Sequence, residues 1–323
     1  MSRSPVTLQI NLAPSDFDHA RHLLPHQVRV WRDQVEEILL VVDLHRSHGR
    51  FSARWEEGVN QIGPLARSIT RARVLTVDYS RSVQLDVAKE FLGGRATVPA
   101  KDFRGGPYHS YLYALHAANQ DWVLHLDSDM MFGGLSAHWL EEAIADQEKD
   151  PRVLLSAPHP GPPCGDGRLR SQHAMRTPGR ENSHDFDSMS TRLFLMSRSR
   201  FRARVGAIGP RLPSLRSVVK AWVEGNPPED LPEHLFTLTM RARGLLRREF
   251  LGTGPGMWHL HPPYRNEEFL RKLPDLIERC ERGEIPEGQR GDHDINDSLV
   301  DWSDARATLR VNRWWRRLLT RGR

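Results

Sequence analysis

The chain has 323 residues, 46 Lys and Arg against 41 Asp and Glu for a formal charge of +5, and 38% hydrophobic residues. That is enough core-forming material for one large or two modest folded domains, and it excludes a disordered chain. The two cysteines, Cys164 and Cys280, lie far apart, which excludes a disulfide framework and a Cys-built zinc site; the mild charge does not by itself point to nucleic acid.

Val6 to Leu12 is a β-rich run stopping at Ala13-Pro14-Ser15-Asp16, a first strand and its exit loop. From His19 to Trp31 the apolar residues recur at helical spacing, with Pro25 expected to break or kink the helix. Ile38 to Val42 is a continuous apolar run ending at Asp43, the pattern of a strand buried on both faces. A helix over Arg54 to Ile69 and a strand over Arg73 to Val77, ending at Asp78, follow. Gly105-Gly106-Pro107 opens a helix from Tyr108 to Asn119, with proline where a missing donor costs nothing. Trp122 to Leu126 is then a strand that runs into Asp127-Ser128-Asp129.

This βαβαβ order predicts a parallel sheet wrapped by helices, with ligands bound at the carboxyl ends of its strands. Asp16, Asp43, Asp78, Asp127 and Asp129 all fall at or just past predicted strand ends. Any one of them is ordinary turn chemistry, but together they outline one acidic rim.

Further on, a helix from Ser136 to Gln147 and a strand from Val153 to Ala157 are expected. Gly161 to Asp187 then reads as a long polar loop, of the kind that is functional or mobile and able to order over a bound ligand. Met189 to Met196 resumes a strand, and a helix near Glu233 to Arg243 ends at Gly244. Asn266 to Arg323 is mostly polar and helical at both ends. No apolar run approaches the ~20 residues of a membrane span, and Met1 to Pro5 does not open a signal peptide. The expected location is the cytoplasm.

The sharpest local signal is Asp121-Trp122-Val123-Leu124-His125-Leu126-Asp127-Ser128-Asp129. Two carboxylates in a D-x-D turn after an apolar strand suit a divalent cation shared with phosphate oxygens, and Mg²⁺ and Mn²⁺ favour few carboxylates completed by water and phosphate. The segment resembles the D-x-D motif of GT-A-fold glycosyltransferases, in particular the family-2-like group. The resemblance spans roughly residues 5 to 265 and is strongest from 102 to 134.

It implies a GT-A, Rossmann-like α/β fold: a mostly parallel sheet flanked by helices, with a C-terminal helical extension. Residues 1–265 would form the catalytic unit, its donor half about 1–134 and its acceptor half about 135–265. Residues 266–323 would be the extension with its basic tail. By the same resemblance Mn²⁺ or Mg²⁺ would be held by Asp127 and Asp129. A nucleotide-sugar, UDP-sugar first and GDP-sugar second, would meet Ala13, Pro14, Asp16, Asp43, Asp78, Arg104, Asp127 and Ser128. The chain departs from the family pattern at Leu44-His45-Arg46-Ser47, where a short acidic and Gly/Ser stretch is usual.

The family's inverting members carry their catalytic base at the start of a late helix, with a Gly eleven positions on. Glu233 and Gly244 fit that spacing. A sugar hydroxyl is a poor nucleophile, and a carboxylate in reach removes its proton as it attacks. The competing reading of Glu233 is an acid complementing a helix N-terminus, with Glu229 and Asp230 as neighbouring alternatives for the base. Many members close the metal site with a late histidine, for which His261 is the first choice and His259 the second. A packed histidine is the alternative. His293-Asp294 with Asp292 and Asp297 reads as a solvated loop.

The tail, Arg310 to Arg323, has six arginines and no acid, with Val311, Trp314, Trp315, Leu318 and Leu319 on one helical face. It suits peripheral contact with an anionic membrane face, or packing of its tryptophans on the domain. No Walker loop, Rossmann fingerprint, nucleophile elbow or H-E-x-x-H is present. The function expected is sugar transfer to an acceptor hydroxyl of unspecified class. The rivals are a nucleotidyltransferase of related fold, against which the lack of a Gly-rich basic loop after strand one counts, and a non-catalytic nucleotide- or nucleic-acid-binding protein. No specific nucleic acid partner is expected.

Overall fold

A computed structural model describes residues 4–48, 54–95, 97–209 and 211–311. The chain runs β1 (Ser4–Leu12), α1 (Phe17–Trp31), β2 (Val35–Val42), α2 (Trp55–Gly58), α3 (Ile62–Ser68), β3 (Ala72–Thr76), α4 (Arg81–Phe91), α5 (His109–His116) and β4 (Trp122–Asp127). It continues through β5 (Met131–Gly133), α6 (Trp139–Lys149), β6 (Val153–Pro160), β7 (Met175–Arg176), β8 (Ser183–Phe186), β9 (Leu193–Ser197), α7 (Arg198–Arg204), α8 (Leu215–Glu224) and α9 (Pro232–Ala242). β10 (Leu246–Phe250), β11 (Trp258–Leu260), α10 (Glu267–Arg282) and α11 (Ser303–Val311) complete it.

The strands form one sheet in the order β3-β2-β1-β4-β9-β6-β10-β8-β7, with β5 and β11 joined beside β6. β3, β2, β1 and β4 are all parallel, whereas β9 lies antiparallel to both β4 and β6. The fold is therefore mixed α/β, a central sheet flanked by helices. β1 is buried on both faces: Val6, Leu8, Ile10 and Leu12 pack with Ala20, Leu24 and Trp31 of α1, while Thr7 and Gln9 are equally buried on the other side. Val123, Phe194 and Met196 pack there with α4, α5 and α9.

Pro25 does not break α1. Pro25 and Arg21, whose carbonyl loses its donor, both face solvent, so the missing bond leaves no buried polar group unsatisfied. The expected helix over Arg54 to Ile69 is two short helices, and α4 was not anticipated. Gly161 to Asp187 is not a long structureless loop. Its second half supplies β7 and β8, with His184, Asp185 and Phe186 buried and Asp185 paired to Arg248 at 2.6 Å. The stretch thus closes the far edge of the sheet rather than overlying β1 and β4.

α10 packs Phe269, Leu273, Leu276 and Ile277 against Leu23 of α1, Met131 of β5 and Trp258 of β11. Gly133 is required opposite Trp258, because any β-carbon there would run into the indole. Among the described residues no helix is long and apolar enough to cross a membrane. The amphipathic tail lies, beyond Val311, outside the described residues.

Candidate active site

The topology fixes where a ligand can enter. From β1 the chain steps outward to β2 and β3, then returns to place β4 on the other side of β1. The crossover direction reverses between β1 and β4, and loops leaving the carboxyl ends of those two strands diverge to leave a crevice. Ala13 to Asp16 leaves one strand and Asp127 to Asp129 the other.

After β1 the chain makes a single 3₁₀ turn, Pro14–Asp16. The Asp16 carboxylate accepts from the Ala13 N–H at 2.9 Å and closes the turn, and Pro14 is buried. Asp43, just beyond β2, is buried and fully engaged: it accepts from Lys101 Nζ at 2.7 Å, Tyr79 OH at 2.9 Å and the His45 N–H at 2.9 Å. Burial, then the Asp43 charge, pushes the Tyr79 phenol far up, so it stays a donor. Asp78 is exposed and accepts from the Ser80 N–H at 2.7 Å. Arg104 lies over the Phe103 ring.

The D-x-D segment is held from behind by α1. Gln27 Nε2 donates to the carbonyls of Asp127 and Met130, each at 3.0 Å. His19 Nε2 meets Ser128 Oγ at 3.0 Å. His26 Nε2 accepts from the Phe132 N–H at 3.0 Å, so its other nitrogen carries the proton that goes to Glu281 Oε1 at 2.7 Å. Burial lowers His19 to about 4, leaving it neutral. These polar groups lie on the buried, otherwise apolar face of α1, which is the signal by which the sequence could have pointed to them.

Asp127 and Asp129 face different surroundings. The Asp127 carboxylate is partly exposed and 3.5 Å from His125 Nε2. Asp129 is 0% exposed. Its Oδ2 receives the Arg265 guanidinium and lies 3.2 Å from His261 Nε2, while its Oδ1 is buried without a hydrogen-bond partner. Burial alone would raise this carboxyl, but Arg265 and then His261 outweigh it and hold it well below the usual range. Burial works to lower His261, and Asp129 overcomes it to raise the imidazole.

His261 is fixed by the segment that follows α10. Its N–H donates to the His293 carbonyl at 2.9 Å, its Nδ1 is 3.3 Å from Asp294 Oδ1, and Arg192 Nη1 reaches the same oxygen at 3.4 Å. Asp294 therefore belongs to the site's second layer of contacts, which corrects the reading of 292–297 as a merely solvated loop. His259, the second choice, makes no contact with Asp129. It is buried beside His293 and Arg247 with neither ring nitrogen partnered, and burial holds it well below its ordinary value.

Glu233 sits at the start of α9, exposed, accepting from Thr191 Oγ1 at 3.0 Å. Thr191 also ties this residue to the rim: its carbonyl accepts from Tyr111 OH at 2.8 Å, and the next carbonyl, of Arg192, accepts from the Asp127 N–H at 2.7 Å.

Among the described residues no three His, Cys, Asp or Glu side chains converge so as to hold a metal ion. Asp129 and His261 meet, Asp127 turns toward His125, and Arg265 stands on Asp129. Arg265 carried no sequence signal, being far from Asp129 in the chain and next to it only after folding.

No family model matches the chain, and no curated protein matches it either. Among solved structures it is similar to glucosyl-3-phosphoglycerate synthase from Mycobacterium tuberculosis in complex with Mn²⁺, UDP and glucosyl-3-phosphoglycerate. The identity there is 12%, over 87% of this chain and 80% of that one, at a TM-score of 0.36. Residues 1–349 of TarS from S. aureus match at 11% identity over 88% and 67% of the two chains, TM-score 0.36. A mycobacterial protein matches at 13% identity over 88% and 76%, TM-score 0.34. These values are too low to transfer any residue or activity.

A second concavity, of about 630 Å³, is lined by Asp146, Asp150, Arg152, Arg180 and Arg248. It lies where α6 leads into β6, toward the opposite rim of the sheet. Most of its charges pair among themselves, Arg152 with Asp150 and Arg180 and Arg248 with Asp146.

Proposed function

We propose that the protein is a metal-dependent glycosyltransferase that binds a nucleotide-sugar in the crevice between β1 and β4 and moves the sugar, with inversion, to an acceptor hydroxyl. The observation that carries this reading is the state of Asp129. It is a fully buried carboxylate on the loop leaving the switch-point strand, with one oxygen unpartnered and a guanidinium and an imidazole drawn onto the other. A buried carboxylate with a vacant lone pair fits a cation that also takes phosphate oxygens.

Asp127, Asp129 and His261 would hold Mn²⁺ or Mg²⁺, once the Arg265 guanidinium withdraws from Asp129 and Asp127 turns inward. The bound cation would neutralise charge on the departing nucleoside diphosphate. Ala13, Pro14 and Asp16 form one wall of the donor site and the Asp127–Asp129 turn the other, with Asp43, held by Lys101, behind the first wall at the end of β2. Ser128, fixed by His19, keeps the turn between the two carboxylates in register. Arg265, freed from Asp129, pairs with the diphosphate, a charge-assisted contact suited to a guanidinium. Glu233 takes the proton of the attacking hydroxyl. UDP-sugar is the favoured donor and GDP-sugar the second.

Calorimetric titration of UDP into the protein with and without Mn²⁺, for the parent and Asp129→Asn, tests this. Mn²⁺ should strengthen UDP binding in the parent and not in the variant, with folding retained. Equal affinity in all four titrations would refute the reading.

A further inference from the structure

Among the described residues the three most exposed large apolar side chains are neighbours: Leu212 and Leu215 are each 85% exposed and Trp222 is 76% exposed. Val219, 44% exposed, lies between them. At α-helical spacing positions 215, 219 and 222 form one stripe along α8, and Leu212 extends it past the Ser214 cap. Ala221, on the far side of α8 from this stripe, is buried, as is Val223 at the stripe's edge in the last turn. Soluble proteins do expose single apolar residues, but a continuous row including a tryptophan marks a contact surface.

The charges beside the row decide what covers it. Arg211 and Arg216 flank it, both exposed, and Lys220 lies on the same helix. The only acid between Val205 and Glu224 is Glu224 itself, 3.7 Å from Lys220. We propose that α8, with Leu212, lies flat on an anionic lipid surface, its leucines and tryptophan entering the acyl boundary and its arginines meeting the headgroup phosphates. An interfacial helix combines these two features, apolar area on one side and basic charge at the waterline.

A second copy of the chain fits poorly. Two identical stripes would bring Arg211 and Arg216 of each copy together, and stable protein interfaces use roughly 20 to 30 residues a side, far more than this row. The segment 312–323 is also a poor cover, because its five arginines carry the same sign as the helix. The location has a consequence at the rim. Lys220 lies over the Phe103 ring at 5.8 Å, in the same loop whose Lys101 holds Asp43. Docking through α8 would therefore bring that end of the crevice toward the lipid. The proposal does not depend on which reaction the crevice performs.

The test is co-sedimentation of the full chain with vesicles of phosphatidylcholine alone and of phosphatidylcholine mixed with phosphatidylglycerol, at low and high salt. The parent should bind only the anionic vesicles, and less at high salt. Leu212→Ser/Leu215→Ser/Trp222→Ser should lose at least about ten-fold in partitioning with an unchanged melting temperature, since all three side chains face water. Trp222→Ala alone, the mildest change, should lose several-fold. The proposal is overturned if the parent ignores anionic vesicles, or if the triple variant partitions like the parent, which would assign binding to the tail. It is equally overturned if light scattering finds a parent dimer that the triple variant dissolves, or if α8 binds an acidic protein partner and no vesicle.

Discussion

Arg265 rests its guanidinium on the buried carboxylate of Asp129, so the carboxylate proposed to hold a metal ion already has a positive charge supplied by the chain. Arg265 is further drawn by Asp16 and Asp127, which keeps it over the acidic rim. The pairing removes most of the cost of burying Asp129, since an unpaired charge in that position would be strongly destabilising. It also means that a cation entering the site competes with an arginine.

That competition is measurable. Arg265→Gln should raise the affinity of the nucleotide-free protein for Mn²⁺ several-fold, read by titration with EPR detection of free Mn²⁺. In the presence of UDP the gain should shrink, because the variant lacks a partner for the diphosphate. Unchanged or weaker Mn²⁺ binding without nucleotide would show that the guanidinium supports the site rather than guarding it.

Glu233→Gln should keep donor binding and lose roughly 10²-fold or more in kcat, the loss expected when a general base is removed. The amide retains the shape and still accepts from Thr191. Turnover within a few fold of the parent would leave Glu233 as a helix-terminal acid bracing Thr191.

Gln27 supports the D-x-D loop through two carbonyls, that of Met130 buried and that of Asp127 partly so. Gln27→Ala leaves them without that donor, at a cost of about 1–3 kcal/mol, and each kcal/mol lowers the melting temperature of a chain this size by about 2 °C. Mn²⁺-dependent UDP binding should weaken as well, since the loop loses its brace. A variant with a lower melting temperature and unaltered ligand binding would show that Asp127 and Asp129 are positioned by other contacts.

The clamp between α1 and α10 gives a pH signature. The hydrogen bond from His26, with help from Arg29, depresses Glu281 from 4.5 to about 2. A carboxyl with a depressed folded-state pKa contributes stability above its unfolded value and loses it as pH falls toward the folded one. Glu281→Gln should therefore melt lower than the parent at neutral pH, and the gap should close between about pH 4.5 and 2. A gap constant down to pH 2 would mean that packing, and not charge, is what the substitution removes.

How much of this was legible in advance differs by level. The apolar runs ending in Asp43 and Asp127 declared buried strands and their carboxyl ends, because strand burial is written in local composition. The acidic rim followed from that alone. Local pattern failed in Gly161 to Asp187, where β8 is short and polar and is buried only because β10 pairs with it and Arg248 answers Asp185.

What the sequence by itself determined is the strands β1 to β4, β6 and β9 and the D-x-D turn, features that nearest-neighbour preferences and side-chain period specify; the short β5, β7, β8, β10 and β11 were not among them. What only the tertiary structure decided is the company those carboxylates keep. Asp129 differs from Asp127 because folding brings His261 and Arg265 from beyond β11 onto one and leaves the other partly exposed beside His125. Burial and charge pairing act through space, between residues more than a hundred positions apart, and no local pattern in the chain encodes them.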